Sequence, residues 1–164
     1  MHPTSMATMK KFVEQYNLRN SCVVMDIGSY DYNGSYRTLF EGGSTTYIGV
    51  DIIPGPNVNM IIDSVEWHTI KVNVDAVISG QTLEHVEHVP KLLWQIKEKL
   101  RPGGLICIIA PSAGPPHDFP SWYRNYSVES MTGFIKDAGF EVLSCTINTE
   151  SLWCDCCCIA QKLA

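Results

Sequence analysis

The chain has 164 residues and a mass of 18.3 kDa, which suits one domain over residues 1–164; a domain of this size buries about 70% of its unfolded surface without a disulfide or metal staple. Apolar residues at 45% against 18% charged exclude a disordered chain, and twelve Lys+Arg against seventeen Asp+Glu, a net charge of -5, argue against general nucleic-acid binding. No apolar run approaches the roughly 20 residues of a membrane-spanning helix, and residues 1–11 lack a charged-then-apolar signal pattern, so the chain reads as cytoplasmic.

Met6, Met9, Val13 and Tyr16 recur at helical spacing and predict a helix over 4–16, with Thr4 or Ser5 as N-cap. This helix is also a candidate lid. Residues 22–28 form a short apolar run closed by Gly28, the pattern of a strand buried on both faces. A short helix is expected over 35–40, then strands over 45–50, 57–62 and 72–79. Leu92, Leu93, Ile96 and Leu100 give a helix over 89–100, with Pro90 in its first turn. Residues 101–104, Arg-Pro-Gly-Gly, are read as the stop that turns the chain into a strand over 105–110. After a loop rich in Pro, Gly and aromatics, Ser127 caps a helix running to Ala138, and Gly139 sits where a left-handed C-cap is wanted. Strands over 141–146 and 152–160 complete the chain. They lie too close for a helical crossover and are expected as an antiparallel pair at one sheet edge.

Alternating strands and helices predict an α/β fold with a mostly parallel sheet covered on both faces. Such sheets bind ligands at the carboxyl ends of their strands. Asp26, Asp51, Asp63 and Ser79 all stand at such ends. Gly28 permits close backbone approach, and the two oxygens of Asp51 match a ribose diol. An ordinary strand-to-helix turn and a solvated turn aspartate remain the alternatives for these two positions.

The run Val24-Met25-Asp26-Ile27-Gly28, then Tyr47-Ile48-Gly49-Val50-Asp51, Asp63, Asp75-Ala76-Val77-Ile78-Ser79, Leu83-Glu84-His85-Val86 and Leu100-Arg101-Pro102-Gly103-Gly104 resembles the class I S-adenosylmethionine-dependent methyltransferases. Within them it looks most like the type 11 group that includes ubiquinone-biosynthesis methyltransferases. The resemblance covers residues 23–111 and rests on the order and spacing of its motifs. It implies a three-layer, Rossmann-like, seven-stranded sheet with an antiparallel last strand, S-adenosyl-L-methionine as cofactor and S-adenosyl-L-homocysteine as product. It further implies that Asp26, Gly28 and Ser29 line the methionine pocket and that Asp51 binds the ribose with Ile52 beside the adenine. Asp63 and Ser64 would meet the adenine amino group, and Ser79 and Gly80 would end near the sulfonium.

Three departures stand out. Tyr30 occupies the family's second loop glycine, which leaves Asp31, Asn33 or Arg37 as alternative holders of the methionine end. Trp67-His68 replaces a frequent Leu-Pro. Ser79-Gly80-Gln81-Thr82 replaces the Asn/Asp-Pro-Pro-Tyr of nucleobase and glutamine amino-methyltransferases.

His85 titrates near neutrality and is a candidate base for a hydroxyl acceptor; ordering the cofactor loop is its alternative role. The loop over 112–126 follows a strand end and is expected to overhang the acceptor. His117, Trp122, Tyr123 and Arg124 are its candidate substrate contacts, offering aromatic walls and one cation. The expected reaction is methyl transfer to a small-molecule acceptor at oxygen, nitrogen or carbon. A non-catalytic methyltransferase-fold subunit and an NAD-dependent oxidoreductase are the competing readings, and a homo- or hetero-oligomer is left open. The seven cysteines are odd in number and bunched at 154, 156, 157 and 158, which argues against a disulfide framework. On a regular strand Cys154, Cys156 and Cys158 share one face and Cys157 the other, so they read as buried thiols and no metal is expected.

Overall fold

Seven strands form one sheet in a computed structural model that describes residues 2–62, 66–117 and 121–163. The chain runs through α1 (Pro3–Gln15), β1 (Val23–Ile27), a 3-10 turn at Tyr36–Phe40, β2 (Thr46–Asp51), β3 (Met60–Ile61) and a 3-10 turn at Glu66–Thr69. It continues through β4 (Val74–Gly80), a 3-10 turn at Leu83–His85, α2 (Val89–Lys99), β5 (Leu100–Pro111), α3 (Val128–Asp137), β6 (Phe140–Ile147) and β7 (Asp155–Lys162). The strand order is β3-β2-β1-β4-β5-β7-β6. β1 to β5 run parallel to one another, and β7 runs antiparallel to both β5 and β6. The order reverses between β1 and β4, the place where an open α/β sheet opens a ligand crevice.

Alternation along β1 sends Val24 and Asp26 to one face and Met25 and Ile27 to the other. The second face holds the larger core, in which Val77, Leu93, Ile96, Ile106, Met131 and Ile135 pack together. On the opposite face Met9, Phe12 and Val13 of α1 meet Tyr36, Phe40, Ala76 and Ile78. Residues 9, 12 and 13 have the spacing of one helical stripe, so α1 packs along the sheet and only its first turn reaches the strand ends.

Four expectations need correction. Thr4 and Ser5 do not cap α1: His2 is the cap residue and Pro3 takes the first helical position, where its fixed φ suits a helix start. Their hydroxyls reach Asp155 and Tyr36 instead. The strand expected over 57–62 shrinks to Met60–Ile61, because Asn57 takes a positive φ of 71° and spends its side-chain amide on the Ser29 carbonyl and the Tyr47 hydroxyl. Residues 101–104 belong to β5. Between the pairs Val74–Leu100 and Ala76–Leu105, β5 advances five residues while β4 advances two, so the glycines make an irregularity inside the strand. Cys154 precedes β7 in a turn, with φ 47° and its amide on the Ser151 carbonyl. It therefore does not share the face of Cys156 and Cys158, which enter the larger core while Cys157 enters the other. All seven cysteines are free thiols.

Candidate active site

A cleft of about 770 Å³ lies across the carboxyl ends of β1, β2 and β4. Its walls include Gly28, Tyr30, Asp51, Ile52 and Ile53 at one end and Gly80, Gln81, Thr82, His85 and His117 at the other. Asp63 and Ser64 lie outside the described residues.

At the first end Asp51 ends β2. Its Oδ1 accepts from the amides of Ile52 at 2.7 Å and Ile53 at 3.4 Å, and its Oδ2 accepts from the Tyr30 amide at 3.0 Å. The carboxylate is thus aimed while each oxygen keeps acceptor capacity. Ile52 is 58% exposed beside it, an apolar surface of the kind a flat heterocycle covers. Gly28 adopts φ 76°, and a β-carbon there would stand 2.0 Å from the Thr82 hydroxyl. Only glycine fits that turn. Tyr30, which replaces a loop glycine, hooks Asp51 through its backbone, while its ring lies where a β-carbon on Gly55 would stand at 2.1 Å. Arg37 does not face the cleft as a free cation: it bonds the side chains of Asn57 and Asn59 and lies over the Tyr47 ring.

Behind this wall Asp26 is 3% exposed and accepts from the Tyr47 phenol. Burial pushes its carboxyl up to about 7, with the Tyr47 hydrogen bond opposing. Ser29 and Ser79 are also buried, and Ser79 donates to the Ile27 carbonyl at 2.8 Å. Asp26, Ser29 and Ser79 thus back the cleft, whereas Gly28, Asp51, Ile52 and Gly80 form its surface.

The second end assembles distant parts of the chain. Asp155 opens β7, and because β7 is antiparallel its first residue pairs with Pro111, the last of β5. A strand start is thereby placed among strand ends. Asp155 is 1% exposed and accepts from Thr4 at 2.8 Å and from Gln81 at 2.7 Å. His85 Nδ1 lies 2.7 Å from the Ser121 carbonyl; a carbonyl only accepts, so this nitrogen carries the proton and Nε2 a lone pair. Burial lowers the pKa of His85. His117 stacks edge-on to His85, Trp122 and Trp153 at centroid distances of 5.0, 4.4 and 5.3 Å, and His2 reaches Trp153 at 5.3 Å. Glu84, 1% exposed, has neither carboxylate oxygen hydrogen-bonded among the described residues, and burial pushes it up to about 8.

The structure brings His117 and Trp122 to His85 but not Tyr123 or Arg124. The Tyr123 amide bonds the Glu84 carbonyl, and Arg124 donates to the Glu87 carbonyl at 2.9 Å. Sequence reasoning missed Glu84, Gln81, Trp153 and Asp155. Glu84 stood inside a quoted motif, whereas Asp155 gave no signal until the antiparallel register put it beside Pro111.

The sheet order, the antiparallel β7 and the cleft at the switch point together define a class I methyltransferase fold. Residues 25–108 match the type 11 methyltransferase-domain family, and the chain belongs to that family of S-adenosylmethionine-dependent methyltransferases. Among curated proteins it is 26% identical to a phosphoethanolamine N-methyltransferase 1 of Zea mays, over 81% of this chain and 31% of that protein. It is 25% identical to phosphoethanolamine N-methyltransferase 3 of Arabidopsis thaliana, over 88% of this chain and 34% of that one. The chain therefore spans about a third of the length of these relatives. Among solved structures, the 1,6-didemethyltoxoflavin-N1-methyltransferase of Burkholderia thailandensis, bound to 1,6-didemethyltoxoflavin and S-adenosylhomocysteine, superposes with a TM-score of 0.76. It is 16% identical, over 98% of this chain and 79% of that one, and supports the fold. No helix among the described residues is long and apolar enough to cross a membrane.

Proposed function

We propose that this chain transfers the methyl group of S-adenosylmethionine to a small-molecule acceptor that enters from the His85–His117 end of the cleft. The observation that carries this reading is the aimed Asp51 carboxylate beside exposed Ile52 and the glycine-only turn at Gly28. These residues fit the adenosyl group: Asp51 takes the ribose hydroxyls, Ile52 and Ile53 flank the adenine, and Gly28 lets the methionine portion approach the backbone. Asp26 acts from behind by fixing Tyr47, and Ser79 by fixing the Ile27 carbonyl. The sulfonium supplies an already activated methyl group, so the chain's main contribution is to hold donor and acceptor in line. His85 Nε2 is a group at the acceptor end that can take a proton from a hydroxyl nucleophile; a neutral amine needs no base. The names of the curated relatives make small amines the first acceptors to assay.

Calorimetric titration with S-adenosylhomocysteine, S-adenosylmethionine and NAD tests the donor half. Saturable binding of the two adenosyl ligands is expected; binding of NAD alone overturns the reading. Production of S-adenosylhomocysteine with an amine or hydroxyl panel tests the transfer, and binding without turnover would favour a non-catalytic subunit. Asp51→Ala should weaken S-adenosylhomocysteine by about 1–3 kcal/mol, the loss expected for a charged hydrogen-bonding partner. Unchanged affinity in a folded variant rejects the ribose assignment.

A further inference from the structure

At the acceptor end three side chains able to ligate a metal converge. Glu84, His85 and His117 each present one ligand atom, and these atoms all lie within 4.8 Å of one another. Glu84 Oε1 and His85 Nε2 are 3.7 Å apart, too far for a direct hydrogen bond. Both Glu84 oxygens are buried without a partner among the described residues, a costly arrangement that calls for a proton or a cation.

We propose that Glu84, His85 and His117 bind one divalent transition-metal ion of the zinc type, with an open coordination position facing the cleft. The donor set, two imidazole nitrogens and one carboxylate oxygen, suits zinc and its neighbours rather than calcium or magnesium. The support behind His85 matches this use: its Nδ1–H is held by the Ser121 carbonyl, which fixes the tautomer and turns the Nε2 lone pair inward. The rings of Trp122 and Trp153 hold His117 and surround the site with apolar surface. Zinc bonds of about 2.0–2.1 Å at a tetrahedral angle put ligand atoms about 3.3 Å apart. The Glu84–His85 pair needs to close by only a few tenths of an ångström, and any wider gap runs to His117, which sits on an irregular loop. His85 and His117 both line the cleft, so the ion has an entry path and its fourth position meets the incoming acceptor. With the metal bound, His85 is a ligand and no longer a base.

The site stands independently of the methyl-transfer reading, and its test reads metal directly. The full chain, stripped with a chelator, is titrated with Co2+ and followed by visible absorption, with S-adenosylhomocysteine binding recorded alongside. One saturable equivalent with the visible bands of a low-coordinate cobalt site is expected, displaced by Zn2+. Glu84→Gln and His117→Ala should each weaken Co2+ binding at least about tenfold, with urea unfolding recorded to show that each variant is folded. His117→Ala lies on a loop and tests the site even where Glu84→Gln perturbs the interior. Absence of saturable cobalt binding, retention of full affinity in the His117→Ala variant, or an intense near-ultraviolet thiolate-to-cobalt band marking cysteine ligands would each overturn the proposal.

Discussion

The two ends of the cleft hold their polar groups in opposite ways. At the Asp51 end, two of the three amides that aim the carboxylate belong to the next two residues, and the third comes from the neighbouring turn. At the Asp155 end, the partners Thr4 and Gln81 lie 151 and 74 residues away, and Glu84 has none among the described residues. The first end is built by local turn chemistry and forms wherever β1 and β2 form. The second exists only once α1, β4 and β7 are assembled, and it keeps unsatisfied buried groups of the kind that mark chemistry.

The largest break in this contrast is expected at Gly28. Gly28→Val forces a β-branched side chain into φ 76° and against Thr82. It should cost on the order of 3 kcal/mol or more in urea unfolding and abolish S-adenosylhomocysteine binding, while Gly28→Ala costs less. A variant with wild-type stability would show that the turn is not fixed as described.

Asp26 sharpens the contrast from behind the first end. Its carboxyl is raised from 3.8 to about 7, chiefly by burial, so the folded state binds the proton more tightly than the unfolded one. Its stabilising contribution is complete below about pH 4 and is lost as pH rises towards 7. Wild-type stability should therefore fall between pH 5 and 7.5 relative to Asp26→Asn, by on the order of 2 kcal/mol. Parallel stability curves for the two proteins across this range would remove the buried charge from the account.

Asp155→Ala breaks the second end. It leaves Gln81 and Thr4 without their shared acceptor, and should cost about 1–2 kcal/mol. Amide exchange should quicken in the first turn of α1 and leave the Gly28 turn unchanged. Equal loosening at both ends would show that they are not separately built.

The same contrast explains what the sequence made legible. The β1 and β2 ends were readable because their signals are local: an apolar run, then Asp26 and Gly28, and a second run closed by Asp51. The parallel sheet followed from the alternation of elements. Asp155 was unreadable, because its value depends on a register in which an antiparallel strand starts where β5 ends. Glu84 is legible only as the neighbour of His85, since burial without a partner leaves no mark in composition or spacing. The Arg-Pro-Gly-Gly segment misled for a related reason: turn residues can also sit inside a strand as an irregularity when the neighbouring strand accepts the slip.

The smallest effect is expected at the rim between the two ends. Arg124 donates to the Glu87 carbonyl at 2.9 Å, and its guanidinium carbon lies 5.9 Å from the centre of the Phe134 ring. It bears on neither the Asp51 hydrogen bonds nor the Asp155 hydrogen bonds. Arg124→Ala should cost no more than about 1 kcal/mol, for its bond to the Glu87 carbonyl and its interaction with the buried Tyr126 hydroxyl, and should leave S-adenosylhomocysteine affinity unaltered. Once an acceptor is found, its KM should move less than about twofold, because the Arg124 guanidinium is already engaged by the Glu87 carbonyl. A larger rise in KM confined to anionic acceptors, with kcat unchanged, would instead assign Arg124 to acceptor binding and extend the second end of the cleft outward to the Arg124–Glu87 rim.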